Sequence, residues 1–312
     1  FEECLKYYIK QENDLDFTNE YHGNDGPVPV KRHSLDSLLI DQMTFYNTVQ
    51  EMGFKTTEDH NLPYSEGVGP MPLNNPNGIR WSTGICYVLP AMVRENLDVL
   101  SNSICKKILI ENGKQIGLIL ENDEIYEGNE IIVSTGAVES PKLLLLSGVG
   151  KKDELDESNI EHVHELKGVG QNLRDHPAVE LRWNGDHSLN DNLTDVGAQK
   201  VGLRYTSSNS KDRLDMISVM RFQPEGISPD NLHFEKSDFG KTRVGITTGI
   251  FLAKSSGKLS LNKLDPRNHP DLNYNYLSNE NDFQRMIEGV KFNFEIARNS
   301  NFDSFRKDLI AP

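Results

Sequence analysis

Apolar residues recur at helical spacing in some stretches and in short alternating or continuous runs in others, which divides the chain into a mixed first half and a β-rich second half. Over residues 1–10, Phe1, Leu5, Tyr8 and Ile9 share one face and predict a helix. Residues 21–30 are punctuated by Gly and Pro and lead into an extended segment. A second helix is predicted over 34–52. Ser34 is its N-cap, Leu35, Leu38, Leu39, Met43, Tyr46 and Val49 form the apolar stripe, and Gly53 closes it. Residues 54–79, rich in Gly, Pro and Asn, read as a long loop that carries function or packs on something else. A helix follows within 77–100 and ends at Asn96. Ahead of it, Arg80 reads as a structural ion-pair or carbonyl partner, with a substrate or cofactor contact as the alternative.

The clearest pattern lies between residues 97 and 150. A short strand is predicted at 97–100 and another at 104–110. Asn112-Gly113 makes a two-residue hairpin turn, since both residues tolerate positive φ. Strands at 115–120 and 125–126 flank a second turn at Asn122-Asp123. The continuous apolar run Ile131-Ile132-Val133 predicts a strand buried on both faces. The expectation is a three-stranded antiparallel meander that returns into a parallel core sheet. A helix should follow Ser134-Thr135-Gly136, with Ser140 as N-cap and Pro141 at its first position. Residues 143–146 are apolar all round, which predicts burial, and Gly148 supplies the left-handed residue that ends the helix. Such a strand–glycine–helix junction aims backbone amides at its surroundings and suits an anion, although most such turns only join a strand to a helix.

Beyond residue 178, strands are predicted at 179–183, 214–222, 244–252 and 258–261, several of them alternating polar and apolar. Residues 186–203 are Asn- and Asp-rich and read as loosely helical. A strong helix is predicted over 282–298, with the stripe Phe283, Met286, Ile287, Val290, Phe294 and Ala297.

Composition narrows the function classes. The 312 residues carry 33 Lys and Arg against 47 Asp and Glu, a formal net charge of -14, which disfavours nucleic acid and anionic membrane surfaces as partners. Hydrophobic content of 36% and charged content of 26% fit a soluble globular protein. No run approaches the roughly 18 apolar residues of a membrane helix. Cys4, Cys86 and Cys105 are too few and scattered for a disulfide framework or zinc site. His162, His164 and His176 lack the helical carboxylate–histidine spacing of a metal centre, so no metal is expected. Neither Phe1 nor Pro312 reads as a natural terminus, and the expectation is an interior piece of a longer protein.

The stretch from Gly136-Ala137 through Ser140-Pro141 to Leu143-Leu144-Leu145-Leu146-Ser147-Gly148-Val149-Gly150 closely resembles the second signature of the glucose–methanol–choline (GMC) flavin oxidoreductases. Other segments are similar to that family in the same order: HGNDGPVPV from His22, NGIRWSTGICYVLPA from Asn77, NLDVLSNSICKKIL from Asn96, GVGQNLRDHP from Gly168, and SSGKLSL onward from Ser255. Two family features have no counterpart here. The 312 residues contain no G-x-G-x-x-G, and the family's C-terminal His with its His or Asn partner is not matched. The terminal FRKDLIAP looks closest to bacterial choline- and alcohol-dehydrogenase members.

The resemblance implies a fold of α/β plus α+β type. A partial FAD-binding α/β domain with an antiparallel β-meander (1–167) would be followed by a substrate domain of antiparallel sheet backed by helices (168–312). Residues 1–96 would contribute to either part. The boundary is expected near Gly168. The resemblance implies FAD as cofactor, with Thr135, Gly136 and Ala137 approaching its adenosine and pyrophosphate and the Cys105 backbone meeting the adenine. It places no catalytic residue in this chain. For Asp175 and His176 a hydrogen-bonded structural corner is preferred to a ligand contact. The implied reaction is oxidation of a small-molecule alcohol to a carbonyl by hydride transfer to flavin. Strand faces in 214–222 and 244–252 would line the substrate pocket. Hydroxynitrile lyase or photodecarboxylase chemistry, both found in the family, and a non-catalytic piece that cannot hold FAD alone are the alternatives.

Overall fold

The structure, a computed structural model, describes residues 1–186, 199–208, 210–223 and 243–311. The chain forms two units. The first comprises Phe1–Leu97, His176–Leu252 and Asn281–Pro312, and the second Asp98–Asp175 and Ala253–Glu280.

The first unit opens with α1 (Glu2–Gln11), β1 (Glu12–Asp14) and β2 (Val28–Val30), the two strands pairing in parallel. The helix predicted over 34–52 is divided. A 3₁₀ turn at Leu35–Ser37 precedes α2 (Ile40–Glu51), because Leu38 and Leu39 take extended backbone angles between them. Ser34 therefore precedes the short turn and not the α-helix, and its side chain makes no capping bond. The buried face also differs from the apolar stripe: Asp41, Gln42, Phe45, Thr48 and Val49 point inward, while Ile40 is exposed.

Residues 54–79 are not a structureless loop, since they contain β3 (Gly67–Pro70). A π-helical turn at Gly84–Val88 runs into the short α3 (Leu89–Ala91), the helix expected in this stretch.

The second unit begins with the predicted meander, β4 (Cys105–Glu111), β5 (Lys114–Leu120) and β6 (Ile125–Glu127), antiparallel throughout. Asn112 and Gly113 both have positive φ, as the hairpin turn requires. The helix that follows, α4 (Gly136–Leu146), starts a full turn earlier than expected. Pro141 lies inside it, and Ser140 is not its N-cap. The early start is favoured because Val138 packs on the unit's core of Leu145, Val149, Leu155, Val169, Leu259 and Leu261. Leu143 and Leu145 are buried as predicted, and Gly148 ends the helix at φ 80°. The short β7 (Val149–Gly150), α5 (Lys152–Glu157), β8 (His164–Glu165) and β9 (Gln171–Leu173) follow.

Two predicted strands do not form. Residues 97–100 and 131–133 belong to no strand, with Ile132 81% exposed and Val99 and Leu100 more than half exposed. A strand exists only through its neighbours, and among the described residues none pairs with either segment.

Back in the first unit, β10 (Ala178–Gly185), β11 (Val201–Tyr205), β12 (Met216–Gln223) and β13 (Arg243–Ile250) build the principal sheet. The loosely helical reading of 186–203 falls largely on residues outside those described, and its last residues belong to strand β11. In the second unit, β14 (Gly257–Ser260) pairs with β9 and with β15 (Asp271–Asn273). The chain then forms α6 (Glu280–Arg298) and β16 (Arg306–Ala311). The large sheet has the order β16-β10-β13-β12-β11-β3, with every pairing antiparallel.

Helix α6 lies on this sheet through only part of its apolar stripe, Met286 and Ala297. Its buried residues are Asp282, Arg285, Met286, Gly289, Asn293, Ile296 and Ala297, whereas Phe283 is 45% exposed. Close approach decides the face. A Cβ at Gly289 would lie 2.4 Å from Thr248 Oγ1 and 2.7 Å from Met216 Cε, so only glycine lets the helix come this near. On the covered side Leu181, Trp183, Val244, Ile246 and Ile250 form the hydrophobic layer. Strand alternation places Ala178, Glu180, Arg182, Ile217, Val219 and Thr247 on the opposite side, with Gly245 and Gly249 between them.

Candidate functional site

The second unit holds all four residues singled out as cofactor contacts. Thr135 directly precedes α4, and Gly136 and Ala137 are its first two residues. All three are exposed, and no side chain caps the first amides. Thr135 Oγ1 lies 3.0 Å from Ser140 Oγ, a contact across the first turn. Gly136 sits at φ 90°, and a Cβ built on it would meet nothing within 4 Å. The conformation favours glycine, and the space before it is open. Unpaired amides at a helix start carry partial positive charge, so this opening accommodates an anionic group whose approach a side chain would hinder.

Cys105 begins β4, half-buried, with its Sγ 3.8 Å from the Lys107 carbonyl. Burial pushes its thiol up from the ordinary value. That is the environment of an inert thiol rather than a nucleophile. Helix α4 packs against β4, and Ser147 at the helix end receives the Ile108 amide at 2.8 Å. Cys105 and the 135–137 turn make no hydrogen bond to each other.

Arg80 is exposed, and neither an ion pair nor a carbonyl bond of its side chain is seen among the described residues. His176 accepts the role of a corner. Its Nδ1 lies 3.2 Å from the Ile250 carbonyl, and its ring meets Phe251 edge-on at 4.6 Å. Asp175 faces Tyr276. Burial, the charge of Asp175 and their hydrogen bond together push the phenol up to about 12. His162 is 3.2 Å from Glu165, a surface contact, and the three histidines noted in the sequence share no site.

Sequence reasoning missed a buried charged cluster in the first unit. Glu12, Asp14 and His22 bring three donor atoms within 4.8 Å of one another. Arg32 binds Asp14 at 2.7 Å and Asp59 at 2.6 Å. The set is therefore an ion-pair cluster built on its own cations. Its signal lay in the polar spacing of 12–32, which hydrophobic periodicity ignores.

The uncovered side of the principal sheet is polar where it is accessible. Glu180 and Arg182, two apart on β10, pair at 2.5 Å, and Thr247 and Ile217 are half-buried beside them. No helix among the described residues is long and apolar enough to cross a membrane.

Two family descriptions match the chain, both of GMC oxidoreductases: an N-terminal one over residues 2–178 and a C-terminal one over residues 253–310. The chain is 29% identical over 347 residues to an oxygen-dependent choline dehydrogenase of Photobacterium profundum, covering 100% of this chain and 58% of the relative. It is 32% identical over 332 residues to a mitochondrial choline dehydrogenase of Mus musculus, covering 99% of this chain and 55% of the relative. The chain thus spans little more than half the length of these curated relatives. Among solved structures it is similar to pyridoxine 4-oxidase from Mesorbium loti, with a TM-score of 0.82 at 19% identity over 100% of this chain and 61% of that one. It is also similar to formate oxidase from Aspergillus oryzae, with a TM-score of 0.81 at 18% identity over 99% of this chain and 63% of that one.

Proposed function

The chain belongs to the GMC oxidoreductase family, and from that premise we propose that it forms part of an FAD-dependent enzyme that oxidises a small-molecule alcohol to a carbonyl. The observation that carries this reading is the pair of family matches, in order, over 2–178 and 253–310. FAD, when bound, supplies the two-electron acceptor for the alcohol carbon. The chain's own residues bind and position. The open amides of Thr135, Gly136 and Ala137 receive an anionic part of the cofactor, and the Cys105 backbone borders the adenine. None of these four moves a proton, and no residue of this chain is assigned as the catalytic base.

In this reading the unpaired segments 98–100 and 131–133 join a larger sheet, whose further strands would cover the apolar side chains that they now expose. The side of the principal sheet turned away from α6, with Ile217 and Thr247 half-buried on it, forms a wall of the substrate pocket. The absence of G-x-G-x-x-G from the 312 residues makes the 135–137 turn a supporting contact and not the main phosphate cradle.

The test is flavin content. The 312-residue chain alone is expected to purify without stoichiometric flavin absorbance, and the chain joined to a glycine-rich dinucleotide-binding segment to purify yellow. A colourless extended protein overturns the reading. Stoichiometric yellow from the chain alone overturns the supporting role given to the turn.

A further inference from the structure

Strand β1 carries Glu12 and Asp14, the following turn carries His22, Arg32 lies just beyond β2, and Asp59 sits between α2 and β3. These residues converge on the His22 ring. Its Nδ1 lies 2.9 Å from Glu12 Oε2 and 3.1 Å from Asp14 Oδ2, and its Nε2 lies 2.8 Å from Asp59 Oδ2. A neutral imidazole has a single N–H and would turn a lone pair toward one of these carboxylates. Only the doubly protonated ring donates from both edges.

The carboxylates also accept from other donors. Both Asp14 oxygens receive Arg32 Nη1, at 3.0 and 2.7 Å, and Asp59 Oδ1 receives Arg32 Nη2 at 2.6 Å and Nε at 3.1 Å. The amides of Asp16 and Phe17 donate to Asp14, that of Asn61 to Asp59, and that of Gly23 to Glu12. Asp16 stands behind Arg32 at 3.7 Å. Phe17 closes the cluster, its ring stacked on His22 at 6.0 Å and under the Arg32 guanidinium at 4.7 Å. Three carboxylates thus face His22, and Arg32 is the other cation bonded to Asp14 and Asp59. The His22 side chain is 1% exposed, so water has little access to replace a lost bond.

We propose that His22 is the protonated keystone of this cluster, and that its deprotonation releases the Asp59 segment from β1 as a pH-sensitive latch. Burial by itself would lower the His22 pKa. The hydrogen bonds and charges of Glu12 and Asp59 outweigh burial and hold it above the ordinary 6.5. A histidine raised on folding stabilises fully below its unfolded pKa, and that contribution disappears as pH rises through the folded value. The consequence reaches the sheet edge. His60, next to Asp59, has its Nε2 3.2 Å from the Gly69 carbonyl and 3.1 Å from that of Gly202, bridging β3 and β11. The latch also holds one wall of a cavity of about 670 Å³, to which Asp16, Phe17, Arg32 and Glu58 contribute.

The experiment follows the histidine ring resonances and the amide exchange of residues 57–68 against pH in the full chain. His22 is expected to titrate above 6.5, with those amides losing at least tenfold protection over the same interval. His60, whose pKa burial holds low, serves as an internal contrast. Glu12→Gln is expected to move the His22 midpoint to lower pH, because it removes a charge and a charge-assisted hydrogen bond that hold the ring protonated. His22 titrating at or below 6.5, a midpoint indifferent to Glu12→Gln, or protection that does not track the titration would each overturn the latch. The unsubstituted protein supplies two of these readouts, so they survive a variant that fails to fold.

Discussion

Asn293 of α6 accepts the Ser218 hydroxyl of β12 at 2.8 Å, and both residues are wholly buried. The same Asn293 side chain donates to the Ile246 carbonyl on β13 at 3.4 Å. One amide thus ties a helix to two neighbouring strands. Ser218→Ala strands a buried acceptor and is expected to cost about 1–3 kcal/mol, read as a shift of the urea midpoint without a change in slope. An unchanged midpoint would show that the amide finds another partner.

Gly289 tests how tightly α6 is seated. Gly289→Ala gains about 1 kcal/mol of helix propensity, but its methyl group meets Thr248 and Met216 at distances real contacts do not reach. Overpacking of this kind costs about 1–3 kcal/mol, so net destabilisation is expected. Thr248→Ala should recover part of the loss, and a thermal-melt double-mutant cycle that comes out additive would refute the contact.

Arg285 bridges Asp215 at 2.9 Å and Asp282 at 2.5 Å, with both carboxylates completely buried. Arg285→Met leaves two uncompensated charges and is expected to cost about 3–5 kcal/mol near neutral pH. Hydrogen bonds from Ser210, Ser207 and Arg285 outweigh burial and hold Asp215 below the usual carboxylate range. Its contribution is therefore present above the unfolded pKa and lost as pH falls through the folded value. Denaturation curves of the parent and the variant should converge in acid.

Asp41 behaves in the opposite sense. Burial raises its pKa to about 7, and neither carboxylate oxygen has a side-chain hydrogen bond among the described residues. The folded state holds a proton that the unfolded state releases, so the stability it adds is present below about pH 4 and is lost as pH rises to about 7. Asp41→Asn is expected to raise the melting temperature at pH 8 relative to the parent and to have a smaller effect at pH 4. Equal shifts at both values would contradict a buried, protonated Asp41.

Ile132 separates the bare chain from a completed sheet. At 81% exposure, Ile132→Lys is expected to change the stability of this chain by no more than about 0.5 kcal/mol. In the chain joined to a dinucleotide-binding segment, the same change should abolish flavin retention. Retention of flavin by that variant would argue against strand addition at this segment.

The meander could be read from sequence because its determinants are local: alternating side chains and an Asn-Gly turn whose φ values few other pairs accept. The extent of α6 was equally legible, but its buried face was not. Phe283 and Phe294 advertise an apolar stripe, yet burial also takes in Gly289 and Asn293, which meet strands β12 and β13, and Arg285, which reaches Asp215 just ahead of β12, all distant in sequence. Strand β3, Gly-Val-Gly-Pro, escaped notice because Gly and Pro carry little strand propensity, and its edge position is imposed by β11. Ile131-Ile132-Val133 shows the reverse case, a strand signal in the sequence that pairs with nothing among the described residues. The candidate cofactor turn was legible through its glycine. The start of its helix was misplaced, because Val138 finds a hydrophobic seat that the Ser-Pro signal does not reveal.

The interleaving of the two units has a consequence for synthesis. Leu145, Val149 and Leu155 share a core with Leu259 and Leu261, so this core remains half-built until more than a hundred further residues have been made. At about 5–20 residues per second that interval lasts roughly 6–20 s. The first unit waits longer, because α6 and the edge strand β16 follow later still. A ribosome paused near residue 250 would therefore hold two incomplete bodies, each displaying apolar side chains, and that nascent state is where chaperone capture and misassembly should concentrate.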